Sequence, residues 1–242
     1  MNTNLAPQFA LQRLQTRFSW WRSFHGDAEL PADLADALWH SPQTVMAKSE
    51  PLRKVGVRST VRLNWGDRQF VIKHYVEPTF RHTLKQTVTR SRAWRTWSTA
   101  HRLADAGVAT PRPVACLENR FGPFRGDSYL MYPYVEGCTL RSYLGCEEPA
   151  GKPVIEAIRE QLVEFWSRLK QLRVSLADTN LQNFIVGDAG RLWVIDVDKA
   201  RFHRVAYLAS RHHERAWTQL TRSARRTGDQ ALEFVDGLRG RL

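Results

Sequence analysis

Residues 175–198 read SLADTNLQNFIVGDAGRLWVIDVD. An acid, Asp178, is followed five positions later by an amide, Asn183. The apolar triplet Phe184, Ile185 and Val186 comes next, then a turn over Gly187, Asp188, Ala189 and Gly190. A second apolar run from Leu192 to Ile195 ends on Asp196. The spacing predicts a β-hairpin of two short strands that carries three polar side chains into one site. Asp and Asn are also ordinary turn residues, and an Asp with an Asn five positions on arises often by chance. The hairpin with its terminal acid is what gives the pattern content.

Each residue type suits one task. A carboxylate at Asp178 accepts a hydroxyl proton or orients the hydroxyl for in-line attack. Asn183 offers a hard oxygen without adding charge and Asp196 offers a carboxylate, a pair suited to magnesium held jointly with phosphate oxygens. Kinase-like phosphotransferases hold metal-bound phosphates beside an acceptor hydroxyl with such a set.

Upstream, the hydrophobic period shifts towards two. Leu52–Val57, Ser59–Trp65 and Arg68–Tyr75 read as three antiparallel strands, the last two joined at Gly66-Asp67. FVIKHY places Lys73 in an otherwise apolar strand. A lysine there either faces solvent on the alternating strand or needs an anionic partner, for which a nucleotide's phosphates serve. Strand lysine, then the Asp-Asn loop, then the strand-ending Asp is the kinase order. The first turn of this sheet, VGVRSTV, has one glycine, Gly56, where protein kinases use several to admit phosphate; Ser59 and Thr60 offer donors instead.

The 242 residues suffice for one large domain or two lobes around a cleft. No apolar run approaches the roughly 20 residues of a membrane span, and the first residues lack the apolar core of a secretory signal, so a cytoplasmic protein is expected. Cys116, Cys138 and Cys146 are odd in number and have no ligand spacing, which suggests neither a disulfide framework nor a zinc site. The net charge of +12 implies acidic company. No basic-aromatic or zinc-finger signature accompanies it, so nucleic acid is not the expected partner.

Residues 8–24, QFALQRLQTRFSWWRSF, put Phe9, Leu11, Leu14, Phe18, Trp21 and Phe24 near helical spacing with arginines between. A helix is expected there, packed on the protein body or lying on anionic lipid. A second helix is expected over ADLADALWH, after Pro31 and before Pro42. A long arginine-rich helix is expected from Thr79 to Ala106, stopped at Gly107, with no acid between Thr79 and Ala104. Ser128–Tyr134 reads as an aromatic strand whose backbone, with Val135, suits an adenine ring, and Glu136 suits a ribose or sugar hydroxyl. From Val154 to Leu172 a clean apolar stripe predicts a buried helix under the catalytic loop. His203, His212 and His213 read as a solvated group rather than a metal cluster, since adjacent helical residues face different ways.

The blocks SRAWRTWSTAHRLADAGVATPRPVA, YLMYPYVEGCTLRSYL, DTNLQNFIV and LWVIDVDKA resemble the lipopolysaccharide core kinases, which phosphorylate heptose or Kdo sugars of the inner core. The likeness runs from about Val55 to Arg204 and is most specific in the arginine-tryptophan helix entering GVATPRPVA. It implies an α+β, two-lobed protein-kinase-like fold, a small N-terminal antiparallel sheet lobe over a mostly helical C-terminal lobe. The domains would be a helical extension over 1–50, an N-lobe over 51–135 and a C-lobe over 136–242. It implies ATP and Mg2+ as cofactors, Lys73 for the nucleotide phosphates, Asp178 as the catalytic Asp, and Asn183 and Asp196 as metal ligands. The partners implied are a lipopolysaccharide core or its lipid-anchored precursor and the anionic surface of the inner membrane, on which the protein would be peripheral.

Two departures from the family loop stand out. Leu176 occupies a position where a loop-supporting His is common, and Asn180 one where a Lys often lies. An active protein kinase also places a Glu on the helix after the strand lysine to pair with it; its absence here, with these two departures, keeps open a catalytically impaired binding protein of kinase fold. A small-molecule, aminoglycoside-type phosphotransferase is the other alternative, and the arginine excess opposes it because its acceptors are cationic.

Overall fold

The computed structural model describes residues 14–55, 58–76, 90–121, 124–146 and 152–241. The chain divides into two compact units, one from the chain up to Trp94 with Val114–Tyr132, the other from Arg95–Pro113 with Pro133–Leu242. Both helix and sheet are present, with a large antiparallel sheet in the first unit. Among the described residues no helix is long and apolar enough to cross a membrane.

In the first unit, strands β1 (Leu14–Phe18), β2 (Arg22–Asp27), β3 (Glu50–Val55), β4 (Arg58–Trp65), β5 (Arg68–Tyr75), β6 (Ala115–Phe121) and β7 (Phe124–Pro133) form a seven-stranded sheet in the order β1-β2-β6-β7-β5-β4-β3. The three predicted strands are β3 to β5, and Gly66 turns between the last two at φ 59°. Alternation along β5 sends Phe70 and Ile72 into a core with Phe24, Leu34, Leu38, Leu63 and Met131. Two helices supply the leucines' side of that core: α1 (Ala32–His40), over the predicted residues, and α2 (Pro42–Ala47). Pro42, read as a stop, starts α2 at its first turn, where a missing N–H is harmless.

The helix expected within residues 8–24 is a correction. Residues 14–18 and 22–27 are strands, and β2 pairs along its length with β6; residues 1–13 lie outside the described residues. Ser19 breaks the apparent helical stripe: its Oγ accepts from the N–H groups of Trp21 and Arg22 and turns the chain. Among the described residues of the aromatic series Phe24 alone then enters the core, while Phe18, Trp20 and Trp21 stand exposed at the hairpin tip. The described residues of the segment predicted as a helical extension therefore contribute two strands and two helices.

In the second unit, α3 (Arg92–Asp105) realises the end of the arginine-rich helix, and residues 77–89, its predicted beginning, lie outside the described residues. It stops as expected at Gly107, φ 82°, where Gly107 N–H bonds Ala104 O and Val108 N–H bonds Leu103 O. α4 (Leu140–Leu144) is capped by Thr139, whose side chain accepts from Ser142 N–H. α5 (Lys152–Gln171) buries Ile158, Leu162, Phe165 and Leu169, the predicted stripe, together with Trp166. Each such fully buried side chain contributes about 1.5–3 kcal/mol, so this helix is core. α6 (Ala206–Arg225) and α7 (Asp229–Arg239) pack their own stripes against it. Short strands complete the unit: β8 (Cys138–Thr139), β10 (Phe184–Val186) and β11 (Leu192–Val194) in one sheet, β9 (Val174–Ser175) with β12 (Arg201–Phe202) in another.

Candidate active site

The loop from β9 to β10 carries Asp178 and Asn183, and local chemistry fixes its shape. Asn183 Nδ2 donates to the backbone oxygen of Asp178 at 2.8 Å, so the amide nitrogen closes the loop and the amide oxygen is the group left for a cation. The backbone oxygen of Asn183 accepts from Ile195 N–H at 2.8 Å, which ties the loop to the residue before Asp196. Asp196 is exposed and sits at φ 65°, a left-handed conformation that non-glycine residues adopt rarely and that recurs at functional sites. Two hydrogen bonds thus tie Asn183 to Asp178 and to Ile195, the residue before Asp196.

The loop is also clamped from α6. Thr179 Oγ1 donates to Ala216 O at 2.6 Å, Thr179 N–H donates to Gln219 Oε1 at 3.3 Å, and Leu181 N–H donates to Ser223 Oγ at 3.1 Å. Thr179 and Leu181 are buried, and so is Leu176. Support expected from a His at position 176 comes instead from apolar burial and these three bonds.

Asn180 acts locally: Nδ2 donates to Asp178 Oδ1 at 3.1 Å while Oδ1 accepts from Gln182 N–H at 2.8 Å. The cation absent from position 180 arrives from elsewhere. Lys199 Nζ lies 4.0 Å from Asp178 Oδ2. Both side chains are well exposed, so the pair biases local charge and adds little to stability.

Sequence reasoning missed Lys199 because a three-residue offset from Asp196 says nothing about its distance to Asp178. It also passed over Arg141, Arg222 and Arg226, which with Asp178, Asn180, Gln182, Gln219 and Ser223 line a cavity of about 260 Å³. The signal was present in the last four: 219, 222, 223 and 226 are spaced as one helical face.

Lys73 belongs to the first unit. It lies opposite Thr60 in the sheet, half-buried, with Nζ 5.5 Å from the ring centre of Tyr132 on β7. Gly56 and residue 57 lie outside the described residues. Glu136 lines a second cavity of about 700 Å³ in the second unit, along with Tyr134, Arg191 and Trp193. Beside it, Gly137 at φ 137° lets β8 approach β10 so closely that a Cβ would meet Val186 O at 2.2 Å. His212 stacks on His203, whereas His213 is buried beneath Trp166, so the expectation of a solvated group fails for His213.

The model of the lipopolysaccharide kinase (Kdo/WaaP) family matches residues 36–236. A 3-deoxy-D-manno-octulosonic acid kinase of Vibrio cholerae serotype O1 is 26% identical over 110 residues, 46% of this chain and 45% of that protein, so the match spans about half the length of the relative.

Proposed function

Because the chain belongs to the lipopolysaccharide kinase (Kdo/WaaP) family, we propose that it phosphorylates a hydroxyl of a lipopolysaccharide inner-core sugar, Kdo or heptose, with ATP as donor and a two-lobed kinase-like architecture. The observation that carries this reading is the bonded set in which Asn183 holds the Asp178 backbone and Ile195, leaving one acid and two oxygen ligands on neighbouring stretches of chain.

Asp178 orients the acceptor hydroxyl and takes its proton as the oxygen attacks phosphorus; an O–P bond forms, the bond to the leaving diphosphate oxygen breaks, and the proton ends on the carboxylate. Lys199, 4.0 Å from Asp178 Oδ2, offsets charge on the transferred group. Lys73 pairs with nucleotide phosphates. The donor set, an amide oxygen at Asn183 and a carboxylate at Asp196, fits magnesium, which prefers hard oxygen ligands. When bound, it neutralises the phosphates.

The acceptor is lipid-anchored, and the protein works peripherally at the cytoplasmic face of the inner membrane. Exposed Phe18, Trp20 and Trp21 at one hairpin tip, with Arg120 5.2 Å over the Phe18 ring, support that location, since aromatics favour the interface and cations its anionic headgroups.

The test is incubation of purified protein with labelled ATP and Kdo- or heptose-terminated acceptors, mapping any new phosphate. Transfer to one sugar hydroxyl is expected. Magnesium-dependent nucleotide binding without transfer to any core sugar overturns the reading in favour of a binding protein.

A further inference from the structure

The cavity beside Asp178 is built from two helices and the catalytic loop. α6 presents Gln219, Arg222 and Ser223, Arg226 caps its C-terminal end, α4 adds Arg141, and the loop adds Asp178. Gln219 and Ser223 are engaged in holding the loop. The three guanidiniums form no ion pair with a carboxylate among the described residues, and Asp178 is the only acid lining the cavity.

Three cations around one carboxylate leave a local excess of positive charge that an anion of the right shape would offset. Guanidinium is the group suited to this, because its planar fork meets carboxylate or phosphate through paired hydrogen bonds. Solvated arginines elsewhere on α6, such as Arg211, Arg215 and Arg225, line no part of this concavity. The volume, about 260 Å³, falls just below the roughly 300–1,000 Å³ of pockets that enclose drug-sized ligands. One sugar residue fits it better than an oligosaccharide.

We infer that Arg141, Arg222 and Arg226 form an acceptor subsite that binds an acidic group, carboxylate or phosphate, on the sugar presented to Asp178. The inference rests on the sugar-kinase reading and sharpens it: the acceptor is selected by its negative charge. The sugar acid named for the Vibrio cholerae relative carries a carboxylate of this kind; a phosphate already on the core is the other source.

The experiment compares wild type with Arg222→Gln/Arg226→Gln and with Arg141→Gln, on four acceptors: a Kdo glycoside and its carboxamide, and a phosphorylated heptose glycoside and its dephosphorylated form. A lost charged hydrogen-bond pair lowers kcat/KM by roughly 10–100-fold. The expected result is that fall for the acidic acceptor in the variants, a similar fall for the neutral acceptor in wild type, and little further loss when both changes are combined. Loss on the carboxamide identifies the carboxylate as the group read, and loss on dephosphorylation identifies the phosphate. Equal effects of the arginine variants on acidic and neutral acceptors, or no effect, overturn the subsite. Calorimetric binding of the same glycosides separates the two levels. Arginine-dependent binding with no transfer by wild type sinks the kinase reading alone, whereas binding indifferent to Arg222 and Arg226 sinks the subsite. Unchanged magnesium-ATP binding and melting temperature show that the variants are folded, as their exposed positions predict.

Discussion

Lys199 Nζ stands 4.0 Å from Asp178 Oδ2, although the two residues are brought together only by the folded chain. This pair separates an enzyme from a binding protein of the same shape. Asp178→Asn keeps the side chain's volume but removes the proton acceptor, and loss of a general base lowers the rate by roughly 10²–10⁴-fold. Lys199→Ala should lower kcat by roughly tenfold, less than a buried electrostatic donor because it is exposed, and Lys199→Arg should restore most of it. Neither change should alter magnesium-ATP binding by more than a few-fold. Full turnover by Asp178→Asn would end its assignment as base.

Nucleotide affinity should depend on Lys73 and on Asp196. Lys73→Ala removes a cation for the phosphates and Asp196→Ala removes a metal ligand, each expected to weaken magnesium-ATP binding by roughly 10–100-fold. Asp196 has a second diagnostic: its φ of 65° favours glycine, so Asp196→Gly should fold at least as well as Asp196→Ala yet bind no better. Wild-type affinity in Lys73→Ala and Asp196→Ala, measured by calorimetry, would contradict both roles.

Stability should fall on mild acidification. His213 is buried, neither ring nitrogen finds a hydrogen-bond partner among the described residues, and burial, helped by Lys170 and His203 against Glu214, holds its pKa below the ordinary value. His25, edge-on to Trp94, is lowered by burial as well, with Glu118 opposing. The unfolded chain protonates these rings near pH 6.5, before the folded chain does. It therefore binds more protons below that pH, and stability, complete above it, declines as pH drops towards the folded pKa values. Denaturant midpoints at pH 7.5 and 5.5 measure the decline, and His213→Leu should reduce it. An unchanged slope in that variant would show that His213 does not carry the effect.

What the sequence revealed and what it concealed divide along the range of the interactions. The Asp178–Asn183 loop, the hairpin to Asp196 and the stripe from Ile158 to Leu169 are local patterns, set by neighbours within one turn or one strand pair, and the structure repeats them. The β1–β2 hairpin depends on long-range partners such as Asn119, which accepts from Arg22 Nε at 2.9 Å across 97 residues. No spacing within residues 8–24 encodes that edge, and apolar residues three and four apart imitated a helix. Lys199 and the three cavity arginines were hidden for the same reason: the sequence announces their charge but not their neighbours. Asn180 illustrates the reverse. Its lost charge was plain, while its hydrogen bonds to Asp178 and Gln182 emerged only from the loop's fold.

The exposed tip at Phe18, Trp20 and Trp21 leads to the riskiest expectation. Phe18 and Trp21 were part of the stripe that suggested an amphipathic helix on lipid, and as a hairpin they and Trp20 still present apolar surface beside Arg17, Arg22 and Arg120, in a chain of net charge +12. Some of that charge is already engaged, Arg17 by Asp36 and Arg22 by backbone oxygens of Trp39 and His40. Binding should therefore combine electrostatic attraction with insertion. The first decays over a Debye length of about 8 Å at physiological salt. The second follows buried apolar area, worth up to about 1.5–3 kcal/mol for a fully inserted large side chain. Sedimentation with anionic vesicles should fall as salt rises but retain a residue that Trp20→Ser/Trp21→Ser removes, lowering the partition coefficient roughly tenfold or more. Because both indoles are exposed, melting should not change. Equal partitioning of wild type and the double variant would remove the tip from the interface, and indifference to salt would remove the electrostatic component.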